Sequence, residues 1–454
     1  MQSGTVITRF PPSPTGLFHI GNARTALFNW LFARHHGGKV LLRFEDTDRA
    51  RSKSEYEQNI RDGLVWLGLD FDNAEEAPWR QSERTAIYRV HIERLIASGS
   101  AYVSRERAKD DPSREVDLVR LRSGGKNVTF HDEIRGDITF DTTELGDLVI
   151  ARNIGEPLYH LAVVVDDFEM GVTHVIRGED HISNTARQIL IQEAIGAPRP
   201  LYAHIPLILA PDRSKLSKRH GATALTDYRD QGYLPQALIN YLALLGWSPG
   251  DDREVFSPRE LIERFGLSRV QKSGAIFNRE KLDWLNREHL KLLSDDDFLA
   301  AKRIFLPTRE RELFEKHPRT ARALVPILRE RTATFSDVRA LAERGELLYF
   351  FEDPIFEDAS KISWKETPNE TTKRHLQYLV AILDAAKEKN DYHEALNTTI
   401  FEYALKEGKG AVLWPMRYAL SGKDKSPDPI TIATIVEREA TIRRLKTAIT
   451  MLAA

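Results

Sequence analysis

The sequence predicts an α/β fold: a mostly parallel sheet with an insertion inside it, followed by a mostly helical C-terminal half. Three patterns carry that expectation. Strand-like and helix-like runs alternate early in the chain, the alternation breaks between about residues 80 and 158, and strand signals fade beyond about residue 290. A chain of 454 residues is long enough for roughly three domains.

Residues 5–10 read as a strand. Pro11, Pro12, Pro14 and Gly16 then force a tight, extended loop, and residues 22–36 read as a helix with Ala23, Leu27, Trp30 and Leu31 at helical spacing. Gly37-Gly38 stops it, residues 39–44 return as a strand, and residues 54–67 form a second helix. Strand, helix, strand in that order implies parallel strands with right-handed crossovers. The interruption holds a helix near 83–97, a polar stretch rich in charge and glycine, and short strands around 138–150. The sheet pattern resumes at 159–165 and 174–177, with a helix near 183–195. An insertion within one sheet domain accounts for this better than two separate domains. Farther on, residues 322–331, 336–344, 372–387 and 431–452 read as amphipathic or charged helices. There is no repeat of fixed period and no low-complexity tract.

Composition narrows the setting. With 41% apolar and 29% charged residues the chain is of the globular class, and its formal charge of −2 gives no bulk sign of a nucleic-acid partner. The absence of cysteine excludes disulfides and thiolate zinc sites and fits a reducing compartment. No signal-peptide pattern opens the chain, and no apolar run approaches bilayer length. A cytoplasmic protein with no membrane partner is expected.

Two segments carry chemistry. The loop at 9–22 follows a strand, where open parallel sheets bind ligands, and puts His19, Gly21 and Asn22 at a helix entry. Unsatisfied N–H groups and the helix dipole favour phosphate there, His19 adds a donor, and Gly21 permits close approach of a nucleotide. A structural turn with a surface histidine is the plainer alternative. The second segment, Lys215-Leu216-Ser217-Lys218-Arg219, follows a strand-like run at 205–210. Its two lysines flanking a serine suit a mobile loop that grips a triphosphate and stabilises charge as pyrophosphate leaves. Alone, such a loop is more often a solvated surface. Together the two segments are far more specific.

The first segment resembles the His-x-Gly-His box of class I aminoacyl-tRNA synthetases, and the second resembles their Lys-Met-Ser-Lys-Ser loop. Pro-Ser-Pro-Thr-Gly before the box, Arg43-Phe44-Glu45-Asp46-Thr47-Asp48 after it, and Lys-Leu-Ser-Lys-Arg-His-Gly-Ala later are similar to bacterial glutamyl-tRNA synthetases. Tyr159-His160 through Asp166-Asp167, Val175-Ile176-Arg177-Gly178-Glu179-Asp180-His181 and Trp414-Pro415-Met416-Arg417 extend the resemblance over nearly the whole chain.

This resemblance implies a Rossmann-type class I catalytic domain in two halves (1–79 and 159–210) with an inserted α+β domain at 80–158 that binds the tRNA acceptor end. A signature-loop and stem-contact domain at 211–292 follows, then a helical anticodon-binding region at 293–454 with a break near 365. It implies activation of L-glutamate with ATP and Mg²⁺ to glutamyl-adenylate, then transfer to the terminal adenosine of tRNA(Glu). Relatives typically need bound tRNA before they activate glutamate. Some also charge tRNA(Gln), a choice the sequence leaves open, and a monomer is the family expectation.

At matching positions, Arg9 and Arg177 are implied to receive the glutamate side-chain carboxylate, since guanidinium forks suit carboxylates and would disfavour neutral glutamine. Glu45, facing the ammonium group, Tyr159 and Ser13 share that pocket. His19, Gly21, Lys215 and Lys218 would carry catalysis and, with Ser217, bind ATP, with Asp180 and His181 beside its ribose or base. Trp414, Arg417, Ser426 and Pro427 would read the anticodon.

Plainer readings stand beside these. Arg9 and Arg177 could pair with Asp46 or Glu179, Tyr159 could be a core aromatic, and Trp414 could be core. Asp166-Asp167 reads as a turn-and-cap pair outside the site. His35-His36 reads as a pair interacting with the helix dipole. Asn22 stands where the box has its second histidine and serves as a helix cap. Without cysteines, the insertion around 104–125 can hold no zinc of the kind some relatives carry, so no zinc is expected. A glutaminyl-tRNA synthetase would share the nucleotide motifs, but Ser13 and the helical C-terminus argue against it. The length disfavours a truncated paralogue that modifies a tRNA base. Arg9, His19, Arg177, Lys215 and Lys218 argue against a non-catalytic tRNA-binding protein.

Overall fold

The computed structural model describes residues 5–73, 79–108, 111, 113–217, 219, 223–356 and 358–453. They divide into two compact units, Met1–His289 and Leu290–Ala454.

The first unit opens with β1 (Ile7–Phe10), α1 (Ile20–His35), β2 (Lys39–Phe44), α2 (Ser54–Leu67) and β3 (Trp79–Arg80), and β1, β2 and β3 pair in that order, all parallel. Helix α1 is apolar on most sides, and residues Ala26 through Ala33 along it are all buried. The turn into β2 requires glycine. A Cβ on Gly38 would lie 2.1 Å from the Val6 carbonyl oxygen.

Next come α3 (Thr85–Ala97), β4 (Ala101–Arg107), β5 (Glu115–Leu121), β6 (Asn127–Asp132), β7 (Gly136–Asp141), β8 (Leu148–Asn153) and β9 (Glu156–Pro157). Strands β4, β5, β8 and β9 form an antiparallel sheet. Strands β4 to β6 fall where the sequence suggested only a polar stretch. The charges of β4 and β5 are exposed or half-buried, Asp132 at the end of β6 is buried, and in β6 burial alternates residue by residue, which is the strand period. The chain continues through α4 (Tyr159–Glu169), β10 (His174–Gly178), α5 (Ile182–Ile195) and β11 (Leu201–Ile205). Strands β10 and β11 are parallel, and the β6–β7 hairpin joins the free side of β11. Thr173 donates its N–H to the Ile7 carbonyl at 2.9 Å, bringing β10 alongside β1.

Residues 159–165, expected as a strand, lie in helix α4. Leu161 through Asp167 are all buried, so the segment shows no helical stripe, and its valines suggest a strand that tertiary packing overrides. The unit then holds β12 (Ile208–Leu209), α6 (Leu225–Asp230), α7 (Pro235–Leu244), α8 (Pro258–Arg264), β13 (Ala275–Ile276) and most of α9 (Arg279–Leu292), with β12 parallel to β13.

The second unit is built from α10 (Asp295–Lys302), α11 (Thr308–Lys316), α12 (Pro318–Arg331), α13 (Phe335–Glu343), α14 (Asn369–Ala385), α15 (Lys389–Glu394), α16 (Ile400–Glu407), α17 (Lys409–Ser421) and α18 (Pro429–Met451). The sequence suggested one uninterrupted helix at 431–452. Instead α18 breaks at Glu437, whose φ of 67° lies in the left-handed region. Tertiary bonds hold the break: Arg438 donates to the carbonyls of Leu383 (2.8 Å) and Asp384 (2.9 Å), and Tyr392 donates to that of Ala433 (2.9 Å). A left-handed residue with a side chain costs on the order of 1–3 kcal/mol.

Lys302 is buried with its ammonium 3.4 Å from the centroid of the Phe314 ring. Burial, opposed in part by Glu315, lowers its pKa to about 7. The unfolded chain therefore binds more protons between about pH 7 and the ordinary lysine range, so this group makes stability rise with pH across that window. Lys302→Met is expected to raise stability at neutral pH by about 1–4 kcal/mol and to flatten that slope. Denaturant unfolding at several pH values measures both.

Candidate functional site

A cavity of about 620 Å³ opens at the carboxyl ends of β1 and β10, lined by residues of the 9–22 loop, the first turns of α1 and α4, the turn after β10 and the segment 215–217. Arg9, Ser13, His19, Gly21, Glu45, Tyr159, Arg177, Asp180, His181, Lys215 and Ser217 all line it. Lys218 lies outside the described residues.

One end is cationic and closed. Arg9 Nε donates to both oxygens of Asp167, at 3.2 and 3.3 Å. Neither Asp46 nor Glu179 takes this role: Asp46 accepts from the N–H of Ser82, and Glu179 pairs with Arg135. Arg9 Nη1 is buried without a hydrogen-bond partner, which in a native protein calls for an explanation such as a ligand. Asp167 also accepts from Arg43 Nη1 at 2.8 Å, and Arg43 reaches Glu45 at 3.3 Å and Asp166 at 3.7 Å. Asp166 in turn accepts from Arg84 (2.7 Å), Gln81 (3.0 Å) and Tyr88 (2.8 Å). Asp166-Asp167 is therefore no turn-and-cap pair. Both lie inside α4 and anchor the arginines behind the cavity. Two adjacent acids ending an apolar run were the available signal, because buried carboxylates demand cationic partners.

Titration follows this packing. Burial raises the Glu45 pKa to about 7 against the opposing pull of Arg43 and Arg9. Burial would raise Asp167 too, but Arg9 and Arg43 outweigh it and hold the carboxyl below its ordinary value. Burial raises the Tyr159 hydroxyl, with Glu45 adding to the effect, and lowers Arg177. Tyr159 is only half-buried and borders the cavity, so it is not a core aromatic.

The other end is the start of α1. The helix cap is His19, not Asn22: His19 Nδ1 accepts the Asn22 N–H at 3.3 Å, and Asn22 is the third residue of the helix. With Nδ1 accepting, the ring proton sits on Nε2, which makes that nitrogen a donor. Burial and Lys215 lower the His19 pKa, favouring the neutral ring. Gly21 has a second reason for lacking a side chain, since its Cβ would press on the His19 ring at 3.1–3.2 Å. Lys215 Nζ lies 3.4 Å from Asp180, and both are exposed. His181, below its ordinary pKa at about 4 through burial and then Arg177, meets Asn184 at 3.1 Å. The chain after the basic segment docks back on the box: Ile20 donates to Thr223 at 3.0 Å, and Leu225 to Phe18 at 2.7 Å. His35 and His36 contact the carbonyls of Ile262 and Phe32 through Nδ1, at 2.7 and 2.9 Å.

In the second unit, Trp414 is half-buried and donates to the Lys361 carbonyl at 2.9 Å. The Arg417 guanidinium covers one indole face 4.5 Å from the centroid and donates to the Asp424 carbonyl at 2.7 Å. Ser426 and Pro427 follow in the loop before α18, where Ser426 Oγ donates to the Pro427 carbonyl at 3.2 Å. Trp414 and Arg417 form one unit instead of two separate contacts.

Asp167→Asn would leave the buried Arg9 and Arg43 without their shared anion. A loss of about 3–5 kcal/mol in unfolding free energy is expected, with calorimetry as the check.

Comparison with known proteins agrees in both units. The family of class I tRNA synthetases for E and Q, catalytic domain, matches residues 5–114 and 104–284, and an anticodon-binding domain family matches 297–449. The glutamate–tRNA ligase of Thermodesulfovibrio yellowstonii is 40% identical, covering 98% of this chain and 99% of its own. That of Syntrophobacter fumaroxidans is 41% identical, covering 98% of each. The crystal structure of a glutamate tRNA ligase from Elizabethkingia meningosepticum in complex with its amino acid superposes with a TM-score of 0.85 at 30% identity, over 99% of this chain and 100% of that one.

Proposed function

The chain belongs to the glutamate–tRNA ligases among the class I aminoacyl-tRNA synthetases, and from that premise we propose which residues bind glutamate, ATP and tRNA. Arg9 and Arg177 receive the glutamate side-chain carboxylate. The unpartnered, buried Nη1 of Arg9 at the cavity wall is the observation that carries this. Glu45 faces the ammonium group, with Tyr159 and Ser13 completing the pocket. His19 Nε2 donates to phosphate oxygens while its other nitrogen caps the helix, and Gly21 keeps that ring in place. Lys215, Ser217 and Lys218 hold the triphosphate, and Asp180 and His181 lie beside the nucleoside.

In the first step an oxygen of the glutamate α-carboxylate attacks the α-phosphorus of ATP, and the bond to pyrophosphate breaks. A ribose hydroxyl of the tRNA terminal adenosine then attacks the activated carbonyl, releasing AMP. No covalent enzyme intermediate is needed, because positioning and fixed charge supply the catalysis. Among the described residues no group of three or more His, Asp or Glu side chains could cage a metal ion. Mg²⁺ is taken as part of the nucleotide substrate, and no step is assigned to it. Trp414 and Arg417, with Ser426 and Pro427, meet the anticodon. The family resemblance supports a cytoplasmic monomer, and among the described residues no helix is long and apolar enough to cross a membrane. Charging purified tRNA(Glu) and tRNA(Gln) side by side decides whether tRNA(Gln) is a second substrate.

ATP–pyrophosphate exchange, with and without tRNA, tests the assignments. Arg9→Met is expected to raise the KM for glutamate about a hundredfold and leave that for ATP nearly unchanged. An unchanged glutamate KM removes Arg9 from the pocket.

Glu45 gives a pH signature. Its folded pKa of about 7 exceeds the ordinary value of 4.5, so its contribution to stability is full below the ordinary value and is lost as pH rises through about 7. The ionised form is the one that attracts an ammonium group. The KM for glutamate is therefore expected to fall between about pH 6 and about pH 8 and to lose that fall in Glu45→Gln.

A further inference from the structure

Behind Arg177 a row of buried side chains crosses three adjacent strands. Arg177 on β10 is the register partner of His204 on β11, and Asp132 ends β6 opposite Tyr202 of the same β11. Asp132, His204 and Thr185 are 0% exposed and Arg177 is 6% exposed. We propose that Asp132 and His204 are positioning residues for Arg177, forming a relay that orients the guanidinium yet gives it no counter-ion, so that its charge is reserved for an anionic substrate side chain. The relay rests on the reading of Arg177 as a receiver of the glutamate carboxylate.

Proton positions follow from the hydrogen bonds. Asp132 Oδ1 accepts the N–H groups of Ile134 at 3.0 Å and Arg135 at 2.9 Å, and Oδ2 accepts the N–H of His204 at 3.0 Å. Oδ2 also lies 2.6 Å from His204 Nδ1. Burial would raise this carboxyl's pKa, but His204 and the backbone donors outweigh it and keep it ionised. An acceptor-only carboxylate puts the ring hydrogen on Nδ1 and leaves Nε2 with its lone pair. That lone pair accepts from Arg177 Nε at 3.2 Å, and Thr185 Oγ1 accepts from Arg177 Nη2 at 2.7 Å. Burial, despite Asp132, lowers the His204 pKa and keeps the ring neutral.

The two pocket arginines therefore differ. Arg9 touches the Asp167 carboxylate directly. Among the described residues no carboxylate is ion-paired with Arg177, whose fixed partners are an imidazole and a hydroxyl. The imidazole passes on the direction of Asp132 without its charge. A carboxylate in direct contact would neutralise Arg177 and compete with the substrate. A neutral amide of the same shape as glutamate would leave a buried cation uncompensated, which is how such a site rejects it.

The test uses the full-length enzyme with saturating tRNA, measuring KM and kcat for glutamate and ATP, the preference for glutamate over glutamine, and Tm. His204→Leu is expected to raise the glutamate KM about ten- to hundredfold, keep the ATP KM within about twofold, and narrow the preference. His204→Gln, whose side-chain carbonyl can accept from Arg177 Nε, is expected to recover most of the loss. Asp132→Asn offers His204 Nδ1 an N–H at the loss of the bond from the His204 backbone N–H, moves the ring hydrogen to Nε2 and is expected to reproduce the leucine defect at nearly unchanged volume, with Tm reporting the backbone loss. An unchanged glutamate KM in His204→Leu overturns the relay, as does a rise shared equally by ATP. If His204→Leu does not fold, Asp132→Asn decides by the same criteria. Arg177→Met separates the two levels. If it leaves the glutamate KM unaltered, the role of Arg177 itself fails; if it alone raises that KM, only the relay fails.

Discussion

Asp167 holds two arginines from two different strands at once, Arg9 from β1 and Arg43 from β2, while itself belonging to helix α4. Arg43 has no exposed surface and reaches Glu45 and Asp166, and Asp166 carries the chain of charge on to Arg84, Gln81 and Tyr88. Buried ion pairs of this kind are a weak source of stability, because desolvation cancels much of their attraction. Their value here is geometric. The strand that ends in the pocket loop, the strand that leads into Glu45 and the helix that begins at Tyr159 cannot shift independently without stranding a charge.

The cavity distributes its polar groups by the same logic. Fixed neighbours decide where the hydrogens sit on two imidazoles, one lining the cavity and one buried behind it. The Asn22 N–H directs the His19 hydrogen to Nε2, and Asp132 directs that of His204 to Nδ1. Each imidazole then has one defined face, donating in the first case and accepting in the second. Burial keeps both rings near neutrality, so neither adds charge to an already cationic pocket.

The parts of this arrangement visible in the sequence are the local ones. Proline and glycine at 11–16 mark the loop after β1 because their backbone restrictions act without help from the rest of the chain. Alternating strands and helices likewise announce the sheet. Helix α4 was illegible because burial on all sides erases the amphipathic stripe, and the pairing of Asp167 with arginines more than a hundred positions away has no local trace. His19 was seen as a ligand but not as the cap, since that depends on the exact point where the chain turns into α1. The break at Glu437 hid for a related reason: nothing near it is glycine or proline, and distant carbonyls impose it. Strands β4 and β5 were masked by their charges, which lie exposed or half-buried.

The bond from Arg9 Nε to both oxygens of Asp167 has a further consequence. An arginine free in solution samples many rotamers, and freezing it costs up to about 2 kcal/mol in entropy. In this pocket the freezing happens during folding, when Asp167 clamps the Arg9 guanidinium at the cavity wall. A carboxylate that arrives there meets a side chain with little disorder left to lose, so more of the contact energy appears as affinity.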